Sequence, residues 1–193
     1  MARSAIAAAK RRHIVATAYG LFKRDGFHAT GIDKIIAEAD VAKMTMYRHF
    51  PSKDELIVEV LNWRAQRFSH QLDRLAEAAS TPQEKIAAIF DWHERWFDSP
   101  DFHGCLFQHA LAEFGEQHHA VFQAATRQKR DIQQRMRSIL KQSMPDSRAE
   151  QVATILFMLI EGATVLAKIR QGKAAIASAR RTAAGILAAE ASQ

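Results

Sequence analysis

An all-α fold of about nine helices is what this 193-residue sequence predicts, on three observations. Apolar residues recur at i, i+3, i+4 and i+7 along most of the chain, with no stretch of alternating strand pattern. Polar start signals, several paired with a carboxylate three residues on, stand ahead of these periodic runs. Eight glycines and four prolines are too few for the many turns of an all-β chain.

The elements follow in order. Ile14, Ala18, Leu21 and Phe22 form the first helical stripe, and Gly26 ends it. Thr30 with Asp33, and then Ser52 with Glu55, are capping-box spacings for later helices. Between them, Ile32–Ala39 and Ala42–Phe50 make two short helices joined by a tight turn at Asp40. Ile57, Leu61, Phe68, Leu72 and Leu75 sustain one long helix from Ser52 to about Ala79. Thr81-Pro82-Gln83-Glu84 opens the next with an N-cap, a first-turn proline and a closing carboxylate. That helix buries Ile86, Ile89, Phe90, His93, Trp96 and Phe97 and ends at Ser99-Pro100. A short helix from Gly104 to Phe114 follows, then a long one marked by Val121, Ala125, Ile132, Met136 and Ile139, ending before Pro145. Asp146 is placed to cap a helix running to Gly172, and Ile176, Ala179, Ala183 and Leu187 mark a last one.

Charge is distributed unevenly. Residues 1–53 carry Arg3, Lys10, Arg11, Arg12, Lys23, Arg24, Lys34, Lys43, Arg48 and Lys53 against Asp25, Asp33, Glu38 and Asp40. The whole net charge of +6 therefore sits in that first quarter, and the remainder is neutral. A basic head on a neutral body implies a polyanionic partner for the head. The acid-free stretch before Asp25 has the Arg/Ala/Ser bias of an organelle presequence, but the Ile14 stripe gives it a helical use. Cys105, the one cysteine, cannot form an internal disulfide, which points to a reducing, cytoplasmic setting. The apolar run from Val152 to Ile160 stops at Glu161, far short of a membrane span.

Within the head, Val41, Met46 and Phe50 are expected to pack on Ile35, Ile36, Leu21 and Phe22. The opposite face, Ala42 to Thr45 with Tyr47 and Arg48, is left outward on a helix sized for a DNA major groove. Phe22, Gly26-Phe27, Thr30-Gly31-Ile32, Ile35, the run Ala39 to Phe50, Ser52-Lys53 and Leu56 together resemble the DNA-binding domain of TetR-family (TetR/AcrR-like) regulators. The resemblance covers about 45 residues without a gap. It implies a helix-turn-helix DNA-binding domain over residues 1–53, and an effector-binding and dimerisation domain over 54–193. The implied protein is a homodimeric, ligand-responsive transcriptional regulator, usually a repressor, with a double-stranded DNA operator and a small-molecule effector as partners. It carries no cofactor, catalytic group or membrane contact. By position, Lys43, Met44 and Thr45 lie where such proteins approach base edges. Thr30, Tyr47, His49 and Lys53 lie where they grip phosphates; cations and hydroxyls suit that chemistry. Asp40 stands where this family usually has glycine. Aspartate tolerates φ > 0 better than most residues, so the turn is expected to survive at some cost.

In the body, Phe90 to Phe122 holds eight Phe and Trp residues. Trp92, Trp96 and Phe102, with the polar His93, Cys105, Gln108, His109 and Glu161, are the candidate effector contacts. Glu161 follows nine apolar residues, so burial there demands a partner. Cys105, His109 and Glu113 recur every four residues, with His103, Glu116, His118 and His119 nearby. That spacing permits a metal or thiol-sensing site, a weak signal set against an inert buried cysteine. No nucleophile–base–orienter set points to an enzyme. The apolar girdle from Val152 to Ile160, followed by Gly162, Ala163, Ala167 and the Ala-rich 174–185, suits a helix covered by its own core and by a partner chain.

Overall fold

The computed structural model describes residues 2–191; the side chain of Arg3, counted in the basic head, lies outside the described residues. Nine helices and no strand occur among them: α1 (Ala2–Asp25), α2 (Ile32–Glu38), α3 (Lys43–His49), α4 (Lys53–Glu77), α5 (Pro82–Phe97), α6 (Leu106–Glu113), α7 (Ala120–Leu140), α8 (Asp146–Lys168) and α9 (Gly172–Ala191). The chain packs as two compact units, one of residues 1–67 with 105–127, the other of 68–104 with 128–193. These units cut across the 1–53 and 54–193 division, because α4 and α7 each contribute to both and α6 belongs with the head.

The first unit is built on Ile14, Ala18, Leu21, Phe22, Phe27, Ile35, Met46, Phe50, Leu56, Ile57 and Leu61, all essentially inaccessible. Each large side chain among them contributes about 1.5–3 kcal/mol by leaving water. Ile36 and Val41 are only half-buried, and Ala39 takes the buried place between α2 and α3. Thr30 does not cap α2. Gly31 is the N-cap, without a side-chain bond, while Thr30 is fully buried and its hydroxyl donates to the Gly26 carbonyl at 2.7 Å. The local spacing fitted a cap, but the α1–α2 corner draws the hydroxyl inward.

Asp40 adopts φ 47°, as the turn requires. Its N–H donates to Ala37, and Val41 N–H donates to Ile36, so orphan carbonyls at the end of α2 are satisfied by a Schellman motif. The same motif ends α8, where Arg170 at φ 64° donates to Ala167 and Gln171 N–H donates to Leu166. That stop precedes the expected end at Gly172, which instead opens α9.

The second unit packs Phe68 and Leu72 of α4, Ile86, Ile89 and Phe90 of α5, Ile132 and Met136 of α7, and the buried faces of α8 and α9 around one apolar core. The Thr81–Glu84 capping box is complete: Thr81 Oγ1 accepts from Glu84 N–H, and the Glu84 carboxylate accepts from Thr81 N–H at 3.1 Å. Asp146, by contrast, is not the N-cap of α8. Pro145 is, and the Asp146 carboxylate is held in a two-pronged pair by Arg137 at 2.7 and 2.9 Å, with Lys141 at 3.3 Å. A guanidinium fork outcompetes the helix's own N–H groups for that carboxylate. Helix α8, 23 residues long with a mean hydropathy of 1.5 over its most apolar window, is long and apolar enough to cross a membrane. The expectation from the Val152–Ile160 run alone missed this, since the apolar character resumes after Glu161. Ala149, Val152, Ala153, Leu156, Ile160 and Ala163 nonetheless face the core of the second unit.

Candidate nucleic-acid interface

Helix α3 is held by one face and offers the other. Met46 is fully buried and Phe50 is 1% exposed, whereas Met44 is 84% and Tyr47 40% exposed. Lys43 and Arg48 are exposed beside them, and Thr45 is half-buried. Phe50 anchors the end of α3 under the guanidinium of Arg11, which lies 4.8 Å from the ring centroid. Arg11 also pairs with Glu59 of α4. His13 of α1 donates from Nε2 to the Ala39 carbonyl at 3.1 Å, fastening α1 to the end of α2. The outward face is thus carried on a braced three-helix base.

Of the expected phosphate ligands, Tyr47, His49 and Lys53 stand at or near the surface, and Thr30 does not. The Thr30 hydroxyl is fully buried in the free protein and donates to the Gly26 carbonyl, bracing the corner. Lys53 opens α4, with Ser52 before it accepting from Glu55 N–H at 3.2 Å. His49 is half-buried, and its Nε2 is shielded from solvent with no hydrogen-bond partner. Burial first, then the charges of Arg48, Arg11 and Lys10, lower its pKa below the ordinary 6.5. Lys43 reaches Asp33 at 3.3 Å, but both side chains are largely exposed, 66% and 79%, so the pair is readily exchanged.

A contact that sequence spacing could not expose joins α6 to this head. The Glu113 carboxylate accepts from the backbone N–H of Phe27 at 3.0 Å and of His28 at 2.6 Å. His28 Nε2 in turn donates to the Glu113 carbonyl at 2.8 Å. Gly26, at φ 84°, leaves room for it: a Cβ there would stand 3.1 Å from Glu113 Oε1. Phe114 stacks between His28 and His119, with centroids 4.8 and 4.9 Å away, and His119 reaches Asp54 of α4 at 3.3 Å. Glu113 is therefore committed to the α1–α2 corner, and the spacing Cys105-His109-Glu113 holds no metal through it. Among the described residues, no group of three or more His, Cys, Asp or Glu side chains is arranged to hold a metal.

The candidate effector contacts fall in both units. Cys105 is buried as the N-cap residue of α6, and Gln108 and His109 are half-buried on that helix, all in the first unit. Trp92, His93, Trp96 and Phe102 lie in the second, where they form one aromatic cluster. Trp92 meets Phe68 at 4.5 Å and Trp96 at 5.4 Å, and Trp96 meets Phe102 edge-on at 4.9 Å. His93 is 4% exposed, and its Nδ1 donates to the Ile89 carbonyl at 2.8 Å, so that nitrogen carries the proton. Trp92 Nε1 donates to Gln71 at 3.1 Å. Glu161 has the partner its setting demands, Lys129 at 2.7 Å, whose side chain is only 11% exposed.

Residues 14–60 match the family model described as bacterial regulatory proteins, tetR family, and residues 82–183 match that of the tetracyclin repressor-like C-terminal domain. The chain is 26% identical over 160 residues to the HTH-type transcriptional regulator LmrA of Bacillus subtilis, covering 81% of this chain and 85% of that protein. It is 32% identical over 77 residues to the HTH-type transcriptional repressor KstR of Mycolicibacterium smegmatis, 40% of this chain and 38% of the other. The crystal structure of a TetR-family transcriptional regulator from Streptomyces coelicolor superposes with a TM-score of 0.88 at 26% identity, over 95% of this chain and 97% of that one.

Proposed function

The chain belongs to the TetR family of transcriptional regulators, and from that premise we propose that it is a ligand-released repressor acting as a homodimer on a palindromic operator. The observation that carries this reading is the one-sided burial of α3. Met46 and Phe50 hold it down, and Lys43, Met44, Tyr47 and Arg48 are left facing outward in a head whose formal charge is +6. In this reading residues 1–53 bind DNA and residues 54–193 bind effector and partner chain, inside the cytoplasm. Lys43 exchanges Asp33 for a guanine edge or phosphate, Met44 meets a thymine methyl, and Thr45 completes the base contacts. Tyr47, His49 and Lys53 take phosphates.

A second copy of the chain covers α8. Ile155, Met158, Val165, Leu166 and Ile169 form an exposed apolar stripe along it, 37–60% accessible. Beside the stripe, α8 and α9 line an open groove of about 730 Å³ floored by Gly162, Ala163, Ala174 and Ala175. Two such faces make a four-helix interface, and small residues let the backbones approach closely. The effector's apolar part is met by Trp92, Trp96 and Phe102 of the aromatic cluster. Its effect on DNA binding equals its difference in affinity for the free and DNA-bound conformations, and no more.

Titration of the purified protein against fragments selected from random DNA, at several salt concentrations, tests the DNA reading. Affinity falls linearly on log–log axes, and replacing Lys53 with alanine reduces the slope by about 0.9. Binding that ignores salt would overturn it.

A further inference from the structure

Helix α7 carries a buried amide whose oxygen the fold leaves unpaired. Gln128 is 5% exposed, and its Oε1 is shielded from solvent without a hydrogen-bond donor. It stands one turn before Ile132 on the face of α7 that enters the apolar core of the second unit. An acceptor stripped of water and left unpaired costs about 1–3 kcal/mol, so such a group calls for a reason.

The register of α7 on α8 shows what surrounds its level. Lys129 bonds Glu161 at 2.7 Å and Gln133 Nε2 donates to Thr154 at 2.8 Å, so the two helices run antiparallel. That register brings Gln128 level with the Glu161–Thr164 turn. Thr164, 2% exposed, offers no proton, because its hydroxyl donates to the Ile160 carbonyl at 2.8 Å. The Lys129 ammonium is drawn to the Glu161 carboxylate. A second acceptor, Thr164 Oγ1, thus stands on the facing turn, and carboxylate charge lies alongside.

We propose that Gln128 is the polar anchor of the effector site, and that the effector is a largely apolar molecule presenting a hydroxyl or N–H to its carbonyl oxygen. The proposal rests on the ligand-released reading above and adds the ligand's chemical class to it. A carboxylate end is the poorer match. It would set oxygen against the orphaned Gln128 oxygen and beside Glu161, so the amide would have to turn its NH2 inward, or Lys129 leave Glu161, to receive it. Apolar binding surface alone leaves the acceptor unpaired and forfeits the selectivity that a buried polar group confers.

The test uses the full-length protein with Gln128→Met and, as a second variant, Gln128→Leu. Probes are matched sets of alcohol, parent hydrocarbon and carboxylate on benzyl, naphthyl and decyl frames. Binding is read by tryptophan fluorescence and by release of selected DNA. The expected result is that alcohols bind wild type at least tenfold more tightly than their hydrocarbon and carboxylate partners. Both variants lose that preference tenfold or more while keeping their affinity for DNA. Without ligand, the variants melt at or above the wild-type temperature, because an unsatisfied acceptor has been removed. A variant melting more than about 3 °C lower would mean that the carbonyl is already bonded in the free protein, and would overturn the proposal. So would carboxylates or hydrocarbons binding as well as alcohols, or no set binding at all. Release of DNA by carboxylates, equally in wild type and variants, would sink this inference and leave the ligand-released reading standing. Failure to bind selected DNA would sink that reading instead.

Discussion

Replacing Glu113 with alanine is the sharpest perturbation of the head. The carboxylate accepts two backbone N–H bonds, from Phe27 at 3.0 Å and His28 at 2.6 Å, and it rests against the glycine corner at φ 84°. Hydrogen bonds to a charged group contribute about 1.5–3 kcal/mol each, and the partly exposed setting argues for the lower end. The pair is then worth about 3 kcal/mol, which in a chain of this length lowers the melting temperature by about 6–12 °C. Glu113→Gln, which keeps a weaker acceptor, is expected to lose roughly half as much. Amide hydrogen exchange read residue by residue is the direct assay, because the N–H groups of Phe27 and His28 lose their acceptor while those within α1 do not. Unchanged protection at Phe27 and His28, with a melting temperature within about 1 °C of wild type, would refute the reasoning.

Three further expectations follow from single residues. Asp40→Gly relieves a positive-φ aspartate and is expected to stabilise the fold by about 0.5–1 kcal/mol in urea titration, whereas Asp40→Val destabilises it. His49 has its pKa lowered in the fold, so the stability it confers is complete above about 6.5 and is lost as pH falls through its depressed value. A DNA phosphate brought against the ring, once a turn of the side chain uncovers Nε2, would raise that pKa again. DNA affinity should therefore rise as pH drops below neutrality, and His49→Gln should flatten the dependence. Met158→Glu buries a charge in the α8 stripe, and sedimentation should report monomer in place of dimer at micromolar concentrations.

Much of the fold was legible because its signals are local. The Thr81-Pro82-Glu84 capping box needs only four consecutive residues, and Asp40 needed only the spacing of one tight turn; both stand as the sequence implied. The one-sided pattern of α3 was legible for the same reason, since period alone sets which face is free. Signals failed where a distant group competed. Thr30 and Asp146 have the sequence of caps, but the buried α1–α2 corner takes one and the Arg137 guanidinium takes the other. Glu113 had the spacing of a metal ligand, yet its partners lie 85 and 86 residues away in sequence, where no periodicity reaches. The candidate effector residues were legible as chemistry and not as a site. Aromatic enrichment marked Trp92, Trp96 and Phe102, but nothing local told that Glu161 would be taken by Lys129 or that Gln128 would be left bare.

The central claim is that the outward face of α3, presented twice by a dimer, reads DNA. Selection of bound sequences from random DNA tests it most directly. A palindromic motif is expected, its half-sites centred about one helical turn, or a whole multiple of it, apart. Met44→Ala is expected to change the preferred bases, while Lys53→Ala weakens all sites alike. Enrichment of an asymmetric motif, or of none, would contradict the claim.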